Sequence, residues 1–439
     1  MTTYYVRSTN GASGDGLSWA SAKLTIKEAV DIPLLPGDTV FVSKDHAESA
    51  TAAKNWTFPG TPNQPNRVIC VADDSANPTT LAATASLPGG TTTTTTPRME
   101  GSVHLYGLQM TYNVATTIGF MNSGTTDAVE IFEKCTLNVI TTSSSTYPYI
   151  GNSGSTNAAR SRMLWLDTDL RLAGGGQRLV LYQELTWRGG ALLPGGALSY
   201  LLAIGAQGRS CPVLIEGVDL IGLDTMSDLV LGSSATGRVM FRNCKLPANW
   251  AGNLVQGAID PGLRVEMHNC DSGATNYALR VAAFSGTIRS ETAIVKTGGA
   301  SDGSTGVSWK IETNANPTPG SLGLETPEFI KWNTAVGTEL TVSVDVLADS
   351  GTLTNAEVWL DVQYMGASSS PKGSFVSSRA TLVAATVPVS VATWPAGGAR
   401  TPQRLSVKFT PQKAGAIHCR VVLAKPNASV FVDPKILVS

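Results

Sequence analysis

Charge is scarce in this chain. Only 15% of its 439 residues are Asp, Glu, Lys or Arg, and they nearly cancel to a net charge of −1. Proteins that grip nucleic acid along its phosphates need a basic surface, so a nucleic-acid partner is not expected. Long apolar runs are missing too: no stretch reaches the roughly 18 residues that a membrane span requires, and no membrane partner is expected. The N-terminus has no basic segment leading into an apolar one, so no secretory signal is visible and the chain is expected to fold in the cytoplasm that makes it. Histidine is rare. His46, His104, His268 and His418 have no second histidine at metal-ligand spacing, and no Asp-x-Asp-x-Asp-Gly calcium loop occurs, so neither metal nor cofactor is expected. The cysteines Cys70, Cys135, Cys211, Cys244, Cys270 and Cys419 lie far apart with no CxxC pair. In a reducing compartment they read as free, buried thiols. Gly299-Ala300-Ser301-Asp302-Gly303 fits Gly-x-Ser-x-Gly in letters but lies in a short Gly/Ser-rich segment, so no nucleophile elbow is read, and glycine-rich Gly174-Gly175-Gly176 lacks the lysine and helix of a phosphate loop.

What is present is glycine (44 residues), threonine and serine in a turn-rich pattern, which indicates an all-β chain. Short motifs recur, among them Val-His-Leu-Tyr-Gly-Leu-Gln-Met (103–110), Glu-Ile-Phe-Glu-Lys-Cys-Thr-Leu (130–137), Met-Leu-Trp-Leu-Asp-Thr-Asp-Leu (163–170) and Val-Leu-Tyr-Gln-Glu-Leu-Thr-Trp (180–187). Three more start at Val213, Val239 and Val265. Aligned on the sixth residue they give the column Leu108, Cys135, Thr168, Leu185, Val218, Cys244 and Cys270, with spacings of 27, 33, 17, 33, 26 and 26 and a mean of 27. That is one coil of a parallel β-helix. Stacking places equivalent positions about 4.8 Å apart, so inward columns must stay apolar. The column three residues before the anchor does: Leu105, Phe132, Trp165, Tyr182, Ile215, Phe241 and Met267. The residue just before the anchor (Gly107, Lys134, Asp167, Glu184, Gly217, Asn243, Asn269) is polar or turn-forming, as expected where the chain bends outward.

Residues 2–74 read as a cover for the open end of the stack. They carry a Tyr4-Tyr5-Val6 strand, a Gly/Asp loop with Trp19, a short helix with Thr25 and Glu28 at capping-box spacing, and a Pro36-Gly37-Asp38-Thr39-Val40 turn and strand. This order, with Phe58-Pro59-Gly60-Thr61-Pro62-Asn63 and Arg67-Val68-Ile69-Cys70, resembles the start of the pectate-lyase-like right-handed parallel β-helix superfamily. The resemblance implies that fold and is nearly silent on activity. The Thr91–Thr96 run reads as a surface loop.

Beyond about residue 285 the period gives way to longer alternating strands, as in Val342, Val344 and Val346 against Thr341, Ser343 and Asp345, which indicates an antiparallel β-sandwich of jelly-roll type. Three parts are therefore expected: 1–75 as N-terminal cap and first coils, 76–284 as right-handed parallel β-helix, and 285–439 as C-terminal sandwich. Ser290-Glu291-Thr292, Thr297-Gly298-Gly299-Ala300-Ser301-Asp302-Gly303 and Ser308-Trp309-Lys310 resemble C-terminal segments of tailed-bacteriophage virion proteins.

Paired carboxylates are the candidate chemistry. In the alignment Asp167 and Glu184 share an outward column one coil apart, about 5 Å, and Asp169 and Asp219 share the next one two coils apart, about 10 Å. Those separations lie near retaining and inverting glycosidase geometries. Against catalysis, outward columns of a stack are polar in any case, and Arg162, Arg171 and Arg188 stand beside these acids. Trp309, Trp332, Trp359 and Trp394 are candidates for stacking on a sugar, although core packing explains most of them. The virion resemblance implies a non-enzymatic structural protein, a homotrimer that decorates or cements a capsid or forms a head fibre, with major capsid or tail proteins as partners and the virion, made in a bacterial cytoplasm, as its location. A tailspike that binds or depolymerises host polysaccharide is the alternative. A bacterial polysaccharide lyase or hydrolase fits less well, since its polymer substrates lie outside the cell and no export signal is visible.

Overall fold

The computed structural model describes residues 1–48, 55–72, 75, 77–88, 98–112, 118–121, 127–140, 148–150, 161–173, 177–204, 212–225, 227–231, 237–248, 250, 252–256, 263–272, 276–282, 286–292, 307–313, 320–324, 339–348, 353–354, 357–365, 390–391, 403–409, 416–432 and 437–438. The expected loop at Thr91–Thr96, together with Cys211, Gly174–Gly176 and Thr297–Gly303, lies outside the described residues. The chain is all-β, with one α-helix of five residues, Ile26–Val30, among the described residues. It divides into two units, one of residues 1–231 with 237–248, the other of residues 232–236 with 249–439.

The first unit is built from three parallel ladders that the chain visits in turn. The first ladder runs through Thr3–Val6, Thr39–Ser43, Asn66–Val71, Val103–Tyr106, Val129–Glu133, Arg162–Leu166, Glu184–Arg188, Val213–Glu216 and Gly237–Arg242. The second takes Ala85–Pro88, Leu108–Tyr112, Thr136–Val139, Asp169–Leu172 and Leu192–Leu193. The third takes Ile118–Met121, Pro148–Ile150, Leu179–Leu181, Tyr200–Ile204 and Asp228–Leu231. Strands of a parallel ladder are joined by crossovers; from Ala85 to Leu231 these are strands of the other two ladders, while the first crossover carries the helix Ile26–Val30 and the next carries Asn55–Thr57, which pairs in parallel with Arg98–Glu100.

Side chains alternate along each strand, so one set points inward in every coil. In the first ladder Leu105, Phe132, Trp165, Trp187, Ile215 and Phe241 stack in register and are fully buried. Trp165 and Trp187 meet edge to face with ring centroids 5.2 Å apart. Met110, Leu137, Leu170 and Leu192 form a second buried row on the second ladder.

One expectation from the sequence is corrected by this register. Trp165 pairs with Trp187 and Arg162 with Glu184, so the motif at 163–170 continues at 185–192 rather than at 180–187. Strand Leu179–Leu181 belongs to the third ladder, and Tyr182 is only half-buried, outside the inward column. The corner residues then become Gly107, Lys134, Asp167, Gly189, Gly217 and Asn243, with spacings of 27, 33, 22, 28 and 26. All of them have φ between 46° and 71°, which is why Gly, Asn and Asp dominate this column. Their amides donate to the next coil: Lys134 to Leu166 O at 2.9 Å, Asp167 to Arg188 O at 2.8 Å, Gly189 to Glu216 O at 2.9 Å.

The anchor that follows each corner is held by a repeated hydrogen bond. The Thr168 hydroxyl donates to Phe132 O (2.9 Å) and Leu166 O (3.1 Å). The thiols of Cys135 and Cys244 donate to the equivalent carbonyls, Leu105 and Ile215 one coil back. Cys70, Cys135, Cys244 and Cys270 are free and buried. Burial pushes the Cys135 thiol up to about 12, against the pull of nearby backbone amides.

At the N-terminal end the helix has the full capping box between Thr25 and Glu28, and buries Ile26, Ala29 and Val30. Trp19 packs on Tyr5 at 4.9 Å. The buried Glu48 accepts the Ile26 amide at 2.9 Å, taking one of the donors that a helix start leaves unpaired.

The second unit is antiparallel. One ladder orders Leu263–Asp271, Asn276–Ala282, Gly320–Leu324, Ala416–Leu423 and Val358–Met365. Another orders Asn253–Gln256, Gly286–Thr292, Val307–Thr313, Ser429–Val432, Leu340–Ala348 and Gln403–Phe409. The sequence repeat reaches Cys270, but the strand that carries it already pairs antiparallel with its successor. Val342, Val344 and Val346 are buried, as the alternation suggests; Ser343 and Asp345 on the other face are buried as well.

Candidate functional site

The corner between the first and second ladders gathers three of the four acids singled out in the sequence. Asp167 occupies the left-handed corner position itself. Asp169 opens the next strand, and its Oδ1 accepts the Ala191 amide at 2.8 Å. Ala191 bridges in parallel to Asp219, and Asp219 to Lys245. The row therefore reads Asp169, Ala191, Asp219, Lys245, with the two acids two strands apart, about 10 Å along the stack. Asp219 Oδ1 accepts the Ile221 amide at 2.9 Å.

Glu184 is not part of this group. It stands at the start of its strand opposite Arg162, five residues ahead of Gly189, which is the true neighbour of Asp167. The expected pairing of Asp167 with Glu184 at one strand spacing is thus corrected. Apolar alternation produced the misalignment; the signal that fixes it is Gly189-Gly190. A Cβ at Gly189 would sit 2.3 Å from Asp167 Oδ1, and one at Gly190 would sit 2.3 Å from the Thr168 carbonyl oxygen. The glycines are what let this coil pass so close beneath the Asp167 carboxylate.

The electrostatics of the corner follow from that geometry. Burial raises the Asp169 carboxyl above the usual aspartate range; the Ala191 amide pulls it back, and the Asp167 charge adds to the rise. A carboxyl group whose hold on its proton is strengthened beside a second carboxyl group is a candidate general acid. The arginines expected to neutralise these acids are partly engaged elsewhere. Arg171 donates to Pro194 O at 2.8 Å, and Arg188 pairs with Glu216 at 3.0 Å, with Arg242 on the other oxygen of the same carboxylate.

The tryptophans do not form one platform. Trp359 is half-buried between Val358 and Leu360, which are buried. Trp309 belongs to the strand Val307–Thr313 in the other antiparallel ladder, while Trp332 and Trp394 lie outside the described residues. Among the described residues no three His, Cys, Asp or Glu side chains gather as a metal site, and no helix is long and apolar enough to cross a membrane. His104 contacts Glu133 at 2.9 Å and His268 contacts Glu266 at 3.1 Å.

No protein-family model and no curated protein sequence matches the chain. Among solved structures, the chain is similar to the enzymatically active domain of tailspike protein 4 of bacteriophage CBA120, at 8% sequence identity and a TM-score of 0.22. The match covers 92% of this chain and 64% of that one, so the chain spans less than two-thirds of that domain. At that score nothing about activity passes from one to the other.

Proposed function

We propose that the first unit is a right-handed parallel β-helix, that the second is an antiparallel β-sandwich, and that the protein is a component of a tailed-bacteriophage particle. Three parallel ladders visited in rotation support the helix; ladders of sequence-distant antiparallel strands support the sandwich. Of the two virion roles, the tailspike-type one, which meets host surface polysaccharide, has a site-level observation behind it. That observation is the corner row in which Asp169, raised by burial, stands two strands from Asp219.

In this reading neutral Asp169 gives a proton to the leaving glycosidic oxygen, and the Asp219 carboxylate activates a water on the far side of the sugar. Inverting enzymes place the two carboxyl groups roughly 6.5–9.5 Å apart, close to two strand spacings. Burial, with the Asp167 charge adding to it, strengthens the hold of Asp169 on its proton, and Asp167 does not itself react.

The second reading is a non-enzymatic trimeric decoration, cement or head-fibre protein. It is favoured by the use to which the same acids are put: one oxygen of Asp169 and one of Asp219 each hold a backbone amide. Incubation with host capsule or lipopolysaccharide separates the two. Oligosaccharide release that falls at least about 100-fold in both Asp169→Asn and Asp219→Asn is the expected result. No release by the wild-type protein overturns the cleavage chemistry, and neither release nor binding leaves the decoration role.

A further inference from the structure

The inward row Asn66, Val103, Glu130, Met163, Leu185 and Val213 runs along the first ladder. It is apolar except at two positions. Asn66 has a structural use, since its side chain donates to Leu35 O at 2.7 Å. Glu130 has none of that kind. Its side chain is fully buried, and neither carboxyl oxygen has a hydrogen-bond partner among the described residues.

Among the described residues no cation pairs with it. Val103 and Met163 flank it on the two neighbouring strands. Glu100, at the end of Arg98–Glu100, acts on it as a like charge. Burial first, and then the Cys135 thiol and Glu130, push the phenol of Tyr112 on the second ladder upward. An unpaired carboxylate is not tolerated in such a place, whereas a neutral carboxylic acid costs far less.

We propose that Glu130 makes the middle of the stack a pH-released lock: the coils close over it only as the neutral acid, and its deprotonation opens the strands on either side. Desolvation first, and the Glu100 charge second, hold Glu130 well above the ordinary glutamate range. The sign follows from linkage. The open chain ionises near the ordinary glutamate pKa of about 4.3, while the closed one keeps its proton. The closed state therefore has its full stability below that pH and loses it as pH rises towards the raised value. Within that window each pH unit shifts the closed-to-open equilibrium about tenfold. This inference is independent of the polysaccharide reading, because Glu130 faces the interior.

The test is hydrogen exchange on the full chain from pH 5 to 9, corrected for intrinsic exchange, on the wild type, Glu130→Gln and Glu130→Met. Amides of Val129–Glu133 and Arg162–Leu166 should lose protection in the wild type by about tenfold per pH unit until the curve levels off. In either variant protection should stay flat. Glu100→Gln should make the wild-type curve level off at lower pH. A flat wild-type profile overturns the proposal, and so does an unchanged rise in a folded variant. If millimolar Ca²⁺ or Mg²⁺ flattens the wild-type rise and leaves Glu130→Gln unaffected, the carboxyl is a cation ligand and the neutral lock is wrong.

Discussion

The two units solve the same problem of burying apolar strand faces with opposite connectivity. In the first, each strand pairs with the one a coil earlier, so every interior position meets its own equivalent. Leu105, Phe132, Trp165, Trp187, Ile215 and Phe241 form one such row. In the second, partners come from far apart: Val307–Thr313 pairs with Ser429–Val432, and Gly320–Leu324 with Ala416–Leu423. The stack pays for its regularity at the corners, where the coils from Gly107 to Asn243 turn through positive φ. The antiparallel unit carries the closure of long loops instead. Damage in the first unit should therefore fall on columns and corners, and damage in the second on particular cross-strand pairs.

The largest effect should come from the column. Trp165→Ala removes a fully buried indole from between Phe132 and Trp187 and should destabilise the first unit by about 3–5 kcal/mol in denaturant titration. A loss no larger than that of a surface substitution would break the column picture. Corners come next, and two glycines sharpen the point. Gly190→Ala meets both a φ of 77° and the Thr168 carbonyl, so a loss of about 2–3 kcal/mol is expected. Gly217→Ala has a φ of 64° but nothing within 4 Å, and only the left-handed backbone cost of about 1 kcal/mol should appear. Equal losses would mean that close packing at the corner is irrelevant. The smallest effect belongs to the second unit. Arg404 donates to both oxygens of Asp345 at 2.9 and 3.0 Å but is itself exposed. Arg404→Ala should cost about 1 kcal/mol, near the top of the range for exposed pairs because its Asp345 partner is buried, and less at high salt.

The same contrast explains what was legible in the sequence. The parallel stack announced itself through Leu105, Phe132 and Trp165, because a position repeated in every coil leaves a column in the chain. The anchors Cys135, Cys244 and Cys270 were readable as buried for the same reason. The slip came at 180–187, where an apolar strand of the third ladder imitates the alternation of the first. Apolar alternation follows from burial on any ladder, whereas positive φ recurs at the corner from Gly107 to Asn243, so Gly189-Gly190 is the better guide. Asp169 and Asp219 were placed in one row because their two coils lie on the correct side of that slip. Glu184 lay inside it and was misplaced. Glu130 was read only as a member of a repeat motif; nothing in local sequence shows that its side chain points inward without a partner. In the second unit the alternation of Val342, Val344 and Val346 exposed a strand but not its partners, since pairing across about 60 residues with Gln403–Phe409 leaves no periodic trace.

The most direct test of the functional account is where the protein sits in the intact particle. Image reconstruction of purified virions should place a few copies at the tail, with the corner that carries Asp169 and Asp219 open to solvent. Copies spread over the capsid at its symmetry sites would contradict the tailspike reading and establish the decoration role in its place.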